Sequence, residues 1–347
     1  MPNYSHHFMT IKPHNIFIFL LLCLPSVSFA QIGGTHVYSF VQQSVSATDN
    51  ALGKTAIVRT GDVALALKNP SLLDSSYSHQ ASITWGNMFV LQTSGMSIAN
   101  IAYARSLRPK LMLVGGVTSV IYGAFNSYDE YANPTGYFFV SDNALYAGLS
   151  YHFLPNFYAG ATLKPILSFL ETYSSIGILA DFAFRYQSTD TLTNAAIVVR
   201  NVGSQITTYT GNYENVPFGV DVALRRKMKY APFAISVAYS DLQAFVVSNT
   251  KAPFIENLLK HFSIAADVRM LKSFDLMLGF NVRKFGDMTW ENGRKAVGLS
   301  LGAAFNRPNW KLSYGWAKQH AAGGTHFFTF STNMQYFGSK FLKQETL

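Results

Sequence analysis

Residues 178–187, ILADFAFRYQ, have two chemically different faces if they form a β-strand. Successive side chains of a strand point to opposite sides. The apolar and aromatic face consists of Ile178, Ala180, Phe182, Phe184 and Tyr186. The opposite face carries Asp181 and Arg185. In a soluble sheet the apolar face would pack inward, whereas in a transmembrane barrel it would face lipid and the charges would face the lumen.

The same alternation of apolar and polar residues recurs along the chain with a period of two. We find about fourteen such runs of roughly ten residues, which is the length of a tilted strand that crosses a bilayer. The runs are 79–89, 95–107, 111–122, 141–153, 157–169, 174–187, 192–202, 217–228, 232–241, 260–271, 274–285, 296–306, 309–317 and 326–336. An even number of strands is typical of a bacterial outer-membrane barrel.

The connections between these runs tend to alternate in length. Short connections lie at 108–110, 154–156, 188–191, 229–231, 272–273 and 307–308. Longer ones lie mostly between them, at 123–140, 203–216, 242–259, 286–295 and 318–325. Short periplasmic turns and longer extracellular loops alternate in this way in outer-membrane barrels. We therefore predict an all-β fold, a transmembrane antiparallel β-barrel of about 14 strands over 79–337, followed by a C-terminal tail at 338–347.

The composition is typical of an integral outer-membrane protein with long loops at the cell surface. Aromatic residues make up 15% of the 347 residues and charged residues 13%, whereas a typical soluble chain has about 25% charged residues. The mean hydropathy of +0.13 is too low for a bundle of membrane helices. It suits a barrel, because only half of each strand faces lipid.

The N-terminal segment 1–30 has the features of a secretory signal peptide. Lys12 precedes an apolar run at 16–25, and small residues predict cleavage between Ala30 and Gln31. A lipoprotein signal at the only cysteine, Cys23, fits less well because leucines occupy the two positions before it. The exported chain therefore has no disulfide and no thiol chemistry.

The exported chain is basic, because removal of Lys12 lowers the net charge only from +9 to +8. A basic chain can bind nucleic acid, but export argues against nucleic acid as a partner. Anionic lipid headgroups or an acidic partner fit better. The excess of Lys and Arg can equally serve only to solvate turns.

Residues 31–78 lack the alternation and precede the first strand. We predict that they form an N-terminal plug inside the barrel, because a lumen of about fourteen strands must be filled or hydrated. Within this segment Asp62–Leu73 predicts a short helix, with Asp62 near its start and Pro70 disturbing its end.

Three strands carry an acid and a base on their inward face. These residues are Asp181 and Arg185, Asp221 and Arg225, and Asp267 and Arg269. We predict a lumenal charge network that braces the wall or the plug, because a buried charge without a partner costs several kcal/mol. A selective permeation path is the alternative.

The sequence provides little for catalysis or for metal binding. His320 and His326 fall around one outer loop, but no known metal-ligand spacing is present. A catalytic pair of Asp287 and His320 could be invoked, yet no nucleophile elbow or phosphate-binding loop accompanies it. We therefore predict a non-enzyme without a cofactor.

Four segments together carry a resemblance to a known family. They are QIGGTHVYSFVQQSVSATDNALG at 31–53, GDVALALKNPSLLDSSYSHQASITWGNMF at 61–89, GAFNSYDEYANPTGYFFVSDNALYAG at 123–148 and VVRNVGSQIT at 198–207. These segments, and most of the mature chain with them, resemble the PorQ family of the type IX secretion system. The second segment includes the Asn-Pro-x-Leu-Leu element of that family at residues 69–73.

The resemblance implies a fatty-acid-transporter-like barrel, related to PorV, in the outer membrane of Bacteroidota. It implies a non-enzymatic role in anchoring a PorZ-like surface protein within the cell-surface attachment complex. That complex also contains a PorU-like sortase and a PorV-like barrel, and it attaches cargo to anionic lipopolysaccharide. Outer-membrane lipid and lipopolysaccharide are therefore further expected partners.

The expected contact surface for the partner is the set of long loops at 123–140, 203–216 and 242–259, since tyrosine is favoured at protein interfaces. The candidate residues are Tyr128, Asp129, Tyr131, Tyr137, Tyr209 and Tyr213. These tyrosines can equally serve loop packing or lie at the membrane interface. The main alternative function is transport of hydrophobic small molecules, which would require a continuous apolar pocket from the outer rim to the plug.

Overall fold

The computed structural model describes residues 36–88, 96–244, 253–287, 297–320 and 323–336. Within these ranges no helix is long and apolar enough to cross a membrane. The predicted signal peptide with its cleavage between Ala30 and Gln31, and the predicted tail at 338–347, lie outside the described residues and stay predictions.

The described residues form a closed antiparallel barrel of fourteen strands, which confirms the predicted fold class. The strands are β1 (Gln80–Met88), β2 (Met96–Arg108), β3 (Leu111–Tyr128), β4 (Pro134–Leu154), β5 (Phe157–Leu170), β6 (Tyr173–Gln187), β7 (Thr193–Thr207), β8 (Gly219–Lys227), β9 (Phe233–Tyr239), β10 (Phe262–Leu271), β11 (Phe274–Asn281), β12 (Leu299–Asn306), β13 (Trp310–His320) and β14 (Gly323–Asn333). Each strand pairs with its neighbours in sequence. Strand β1 closes the barrel on β14, with Gln80 opposite Asn333 and Met88 opposite Thr325.

The outer face of the barrel is apolar. On β6, Phe182 and Phe184 are 46% and 56% exposed, whereas Asp181 and Arg185 on the opposite face are 2% and 1% exposed. A wall whose outer side chains are aromatic and aliphatic suits a hydrocarbon surrounding. Of the two arrangements open to the stretch 178–187, the structure therefore has the apolar face outward and the charged face toward the lumen.

The two ends of the barrel differ in their connections. The turn end carries the connections at 109–110, 155–156, 188–192, 228–232, 272–273 and 307–309. The loop end, opposite, carries the longer connections at 208–218, 240–261 and 282–298, and also a two-residue connection at 171–172. Two short helices belong to the loop end: Phe254–Lys260 and Val282–Asp287.

The predicted long loop at 123–140 is instead mostly a hairpin. Strands β3 and β4 continue to Tyr128 and from Pro134, so that only 129–133 connect them. The pairing of the two strands shifts between Ile121 and Ala124, and Gly123 has a φ of 94°. A β-bulge of this kind reverses which residues face outward, and the alternation in the sequence therefore ends at the bulge although the strand does not.

The segment 36–79 forms a plug in the lumen, as predicted from the sequence. Its α-helix, α1, spans Ala47–Leu52, and Ser46 caps it by accepting a hydrogen bond from the Asp49 amide at 3.2 Å. The Asp49 carboxylate accepts in return from the Val45 amide at 3.0 Å, a reciprocal cap that satisfies two free donors. The loop-end helices Phe254–Lys260 and Val282–Asp287 are α2 and α3.

The predicted helix at Asp62–Leu73 begins where expected, with Asp62 as its cap, but it is neither continuous nor an α-helix. Two 3₁₀ segments, Val63–Leu67 and Pro70–Leu72, occupy this stretch. Asn69 between them is extended, with φ −138° and ψ 90°, because proline disfavours the helical conformation of the residue before it. The Asn69 side chain instead accepts from the Ser71 amide at 3.0 Å and donates to the Ile57 carbonyl at 2.6 Å, which ties the plug together.

Helix α1 lies directly on the barrel wall because glycines line the lumen there. A Cβ atom at Gly315 would lie 2.1 Å from the Ala47 carbonyl oxygen, and one at Gly302 would lie 2.5 Å from the Ala51 Cβ. Gly302 and Gly315 are opposite each other on β12 and β13. Hydrogen bonds fix the helix, with Ala47 N donating to Thr329 Oγ1 at 2.8 Å and Ser300 Oγ donating to Ala51 O at 2.7 Å.

We expect Gly315→Ala to destabilise the barrel, because the added methyl group meets plug backbone that cannot yield without displacing α1. The expected loss is about 1–3 kcal/mol, the range for overpacked cores. Denaturant unfolding of the purified protein in detergent measures it. Gly115→Ala is the matched control, since its Cβ would find no heavy atom closer than 3.8 Å. Equal stability of the two variants would contradict the seating of α1 on β13.

Candidate functional site

A cavity of about 380 Å³ lies at the loop end of the lumen, between the plug and the wall. The plug contributes residues around Gln42 and Lys54, and Lys68, to its lining. The wall contributes residues of β4–β8 and β10–β13, and the loop end adds Asp241, Lys260 and α3. Most of the residues that line the cavity are polar or charged, whereas transport of hydrophobic molecules would require a continuous apolar lining.

A β-bulge in β7 directs two adjacent residues into this cavity. Arg200 and Asn201 both lie opposite Asp181 on β6, and Asn201 has a φ of +58°. Both side chains are buried. Gly203 follows with a φ of +154°, and a Cβ there would lie 2.0 Å from the Ile178 carbonyl oxygen. The Arg-Asn-Val-Gly sequence at 200–203 therefore directs the Arg200 guanidinium and the Asn201 amide toward the lumen.

Ion pairs bridge neighbouring strands around the bulge. Lys164 Nζ on β5 lies 2.6 Å from Asp181 Oδ1 on β6, and Asp181 also accepts from the Asn201 amide at 2.7 Å. Arg200 Nη2 donates to Asp221 Oδ1 at 2.9 Å. These groups are almost completely buried, so each charge depends on its partner.

Asp241 joins the ion pairs of the wall to the loop end. Its carboxylate lies 3.2 Å from Arg200 Nη2 and 3.2 Å from Arg283 Nη1 of α3. On the plug, Lys68 Nζ lies 2.7 Å from Asp49 Oδ2. In α2, Lys260 Nζ lies 3.3 Å from Glu256 Oε1. Each carboxylate of the cavity lining is thus already bound to a cation.

Three further lysines line the cavity without a carboxylate within 4.0 Å among the described residues: Lys54, Lys284 and Lys318. Lys284 Nζ donates to Gln319 Oε1 at 2.5 Å, which satisfies one hydrogen but no charge. The cavity lining therefore contains more positive than negative charge.

Burial and neighbouring positive charges lower the pKa values of two of these lysines. Burial, and then the positive charges of Lys54 and Lys68, lower the pKa of Lys284 to about 8. Burial, and then the positive charge of Arg200, lower the pKa of Lys54 below its ordinary value. Both effects make the ammonium form costly in this place. The carboxylates of Asp221 and Asp241 offset part of this cost at Lys54, and that of Asp49 offsets part of it at Lys284.

The predicted lumenal network is present in altered form. Asp181, Arg185, Asp221 and Arg225 are buried and face the lumen, but none pairs with the base or acid of its own strand. Arg185 Nε donates to the plug carbonyl of Ser71 at 2.8 Å, and its guanidinium stacks on the Tyr158 ring, 3.9 Å from the centroid. Asp181 and Asp221 belong to the loop-end cavity, with Lys164 and Arg200, neither of which was a predicted site residue.

A separate cluster lies toward the turn end. Arg225 Nη2 donates to Asp267 Oδ2 at 2.8 Å, and Arg59 of the plug lies 3.7 Å from Asp275. Arg269 also pairs with Asp275, at 3.1 Å, but its side chain is 67% exposed. The prediction that Arg269 lies in the lumen is therefore wrong, since it stands near the end of β10 at the rim of the barrel.

The predicted partner-contact residues divide into exposed and structural ones. Tyr128 and Tyr137 belong to β3 and β4 rather than to a loop, and they are 58% and 69% exposed; Tyr131 between them is 77% exposed. Asp129 accepts hydrogen bonds from the Asn133 side-chain amide at 3.0 Å and from the Asn133 and Tyr131 backbone amides at 2.8 and 2.9 Å. These bonds lower its pKa and shape the turn.

The remaining two tyrosines lie on the 208–218 connection. Tyr213 is 73% exposed. Tyr209 is partly buried at the mouth of the barrel, where its hydroxyl bonds Ser168 Oγ, and burial raises its pKa to about 12. Tyr209 thus packs the mouth instead of presenting a free surface. The predicted loop at 242–259 is partly outside the described residues.

No grouping of metal-ligating side chains occurs within the described ranges. His326 Nδ1 lies 2.8 Å from the Tyr314 hydroxyl. Its partner in the notional metal pair, His320, ends β13. The side chains of Asp287 and His320 lie outside the described part of the structure.

Solved structures share the barrel fold. The toluene transporter TbuX of Ralstonia pickettii aligns over 85% of this chain and 99% of its own, with a TM-score of 0.51 and 12% identity. The CymD monoaromatic hydrocarbon channel aligns over 83% of this chain and 96% of its own, with a TM-score of 0.50 and 12% identity. At this identity the likeness establishes the fold alone. No protein-family model and no curated protein matches the chain.

We expect Arg200→Met to destabilise the folded barrel by about 3–5 kcal/mol, because it leaves the buried Asp221 without its cation. Adding Asp221→Asn should recover part of that loss. Denaturant unfolding in detergent measures both effects. Arg307→Met, which removes an exposed arginine at the turn end, is the control and should change stability by less than about 0.5 kcal/mol. No difference between the two single variants would contradict the ion pair.

Proposed function

We propose that this chain is a non-enzymatic, plugged barrel of the outer membrane that anchors a surface protein through its loop end. The partner is a PorZ-like protein of the type IX secretion system, with a PorU-like sortase and a PorV-like barrel as indirect partners. The proposal rests on the sequence resemblance to the PorQ family. The structural observation that favours it is the hairpin of β3 and β4, which lies in one of the segments that carry the resemblance.

That hairpin extends past its neighbours at the loop end. Among the described residues, the pairing of β3 with β2 ends at Ile121, and that of β4 with β5 ends at Val140. The strands pair with each other as far as Tyr128 and Pro134. Within the described ranges, the hairpin beyond the wall, residues 122–139, thus has two open edges, which can accept another strand from a partner.

The projecting hairpin is rich in exposed aromatic side chains. Phe139 is 60% exposed, and it meets Tyr137 edge to face with ring centroids 5.6 Å apart. Tyr131 at the tip is 77% exposed. Exposed aromatic clusters on a rigid element are typical of protein-binding surfaces. The plug supports a docking role, because it is fixed to the wall by many hydrogen bonds and fills the lumen below the cavity.

Transport of hydrophobic small molecules is the second candidate function. The barrel fold shared with a toluene transporter and a monoaromatic hydrocarbon channel favours it. The charged and polar residues of the loop-end cavity argue against it, because a hydrocarbon there would desolvate these groups without giving them hydrogen bonds. On this account a hydrocarbon would have to pass through some other part of the barrel.

Replacement of three hairpin aromatics, Tyr131→Ser, Tyr137→Ser and Phe139→Ser, tests the anchoring role. We expect the PorZ-like protein to co-purify with the unchanged barrel from its native membrane and to be lost from the triple variant. Tyr230→Ser, at a side chain that is 91% exposed at the turn end, is the matched control and should retain the partner.

Retention of the partner by a folded triple variant would exclude the hairpin as the anchor. A barrel that purifies alone and binds toluene in detergent would contradict anchoring and support transport. The fold of each variant is checked by its unfolding midpoint, so that loss of the partner is not confused with loss of the barrel.

The proposed orientation places the loop end at the cell surface. Because Cys23 in the predicted signal peptide is the only cysteine, single cysteines can report the orientation. We expect Tyr131→Cys, at the loop end, to react with a membrane-impermeant maleimide on intact cells. Tyr230→Cys, at the turn end, should react only after the outer membrane is permeabilised. The reverse labelling pattern would contradict the orientation.

A further inference from the structure

We propose that the loop-end cavity binds a phosphate-bearing ligand, held by Lys54, Lys284 and Lys318. The proposal is independent of which protein docks on the hairpin. It follows from the charge and the chemistry of the cavity, which the anchoring role does not use.

The cavity lining carries more positive than negative charge. Every carboxylate that lines the cavity is engaged by a cation of the wall, the plug or the loop end, as the distances of 2.6–3.2 Å show. None of the three lysines lies within 4.0 Å of a described carboxylate, and the cations of the lining outnumber its acids. A folded protein does not hold several partly buried ammonium groups close together without an anion unless solvent reaches them.

The positions of the three lysines allow one ligand to contact all of them. The three lysines come from three separate parts of the chain: Lys54 from the plug, Lys284 from α3 and Lys318 from β13. All three border the same cavity, so that one ligand can contact plug, loop and wall at once. Burial and the neighbouring cations lower the pKa values of Lys54 and Lys284, which indicates that positive charge is in excess around them.

The excess of positive charge favours a phosphate over a carboxylate as the bound anion. A single carboxylate carries one negative charge, whereas a phosphomonoester carries about −1.5 to −2 near neutral pH and offers three acceptor oxygens. Lysine is a common phosphate ligand because it acts as a point charge with three donors. A phosphate therefore matches a cavity lined by three such lysines better than a fatty-acid carboxylate does.

The size and the polar lining of the cavity indicate the nature of the ligand beyond its phosphate. The cavity volume of about 380 Å³ is several times that of a phosphate ion. Its lining adds the amide and hydroxyl side chains of Gln42, Asn281 and Ser263 to the charges. These groups suit a ligand with hydroxyl or amide groups rather than an acyl chain. The phosphate can come from a lipid headgroup or from a soluble phosphorylated compound.

Calorimetric titration of the full-length barrel in detergent, at constant ionic strength, tests the proposal. The probes are inorganic pyrophosphate and, as a carboxylate of similar size, hexanoate. We expect saturable binding of pyrophosphate and none of hexanoate. Lys54→Gln combined with Lys284→Gln should weaken pyrophosphate binding at least tenfold. Lys110→Gln, at the turn end, is the matched control and should bind as the unchanged protein does.

Equal binding of pyrophosphate by all three proteins would overturn the site, because it would reflect general screening of a basic surface. Preference for hexanoate would overturn the choice of phosphate. The two sources are separated by mass spectrometry of barrel purified from its own membrane: a phospholipid or lipopolysaccharide in the cavity indicates a headgroup, and a water-soluble phosphate compound indicates the other. Detection of neither in a protein that also fails to bind pyrophosphate would overturn the proposal.

Discussion

The contact between the plug and the glycine-lined wall is the constraint on which the remaining structure depends. Helix α1 can lie within hydrogen-bond distance of β12 and β14 only because Gly302 and Gly315 leave room for its backbone. The plug thereby supplies hydrogen-bond partners for buried polar side chains of the wall, such as Ser300 and Thr329. Because the plug is anchored at this height, the space that remains at the loop end becomes the cavity.

The lipid-facing wall also determines where the charges of the chain can be. Charged side chains on the outer face are costly in the membrane, so acids and bases are confined to the lumen and to the two ends. In the lumen they pair between strands and with the plug, as Lys164 does with Asp181 and Arg59 with Asp275. The cations that exceed the available acids collect at the loop-end cavity, which gives that cavity its preference for an anion.

The sequence predicts the strands well because lipid contact imposes alternation directly on the residues. Prediction fails where a bulge reverses that alternation. The bulge at Gly123 ends the alternation in β3, so the sequence does not reveal that the strand continues to Tyr128. The bulge at Asn201 places two successive residues of β7 in the lumen. It fails also for charge partners. Residues four apart in a strand, such as Asp181 and Arg185, lie about 13 Å apart, so their partners come from neighbouring strands or from the plug. Register and plug position determine these partners, and neither can be read from one strand.

Hydrogen exchange of the intact barrel in detergent, followed by mass spectrometry, tests most directly whether plug and wall form one cooperative unit. Amides that close α1 and its cap, such as those of Ala47 and Asn50, are bonded to β14 and within the plug. If plug and wall are one unit, we expect peptides covering 47–58 to exchange as slowly as those from β12 and β13. Rapid exchange of the plug beside a protected wall would contradict it, because the plug would then open independently of the barrel.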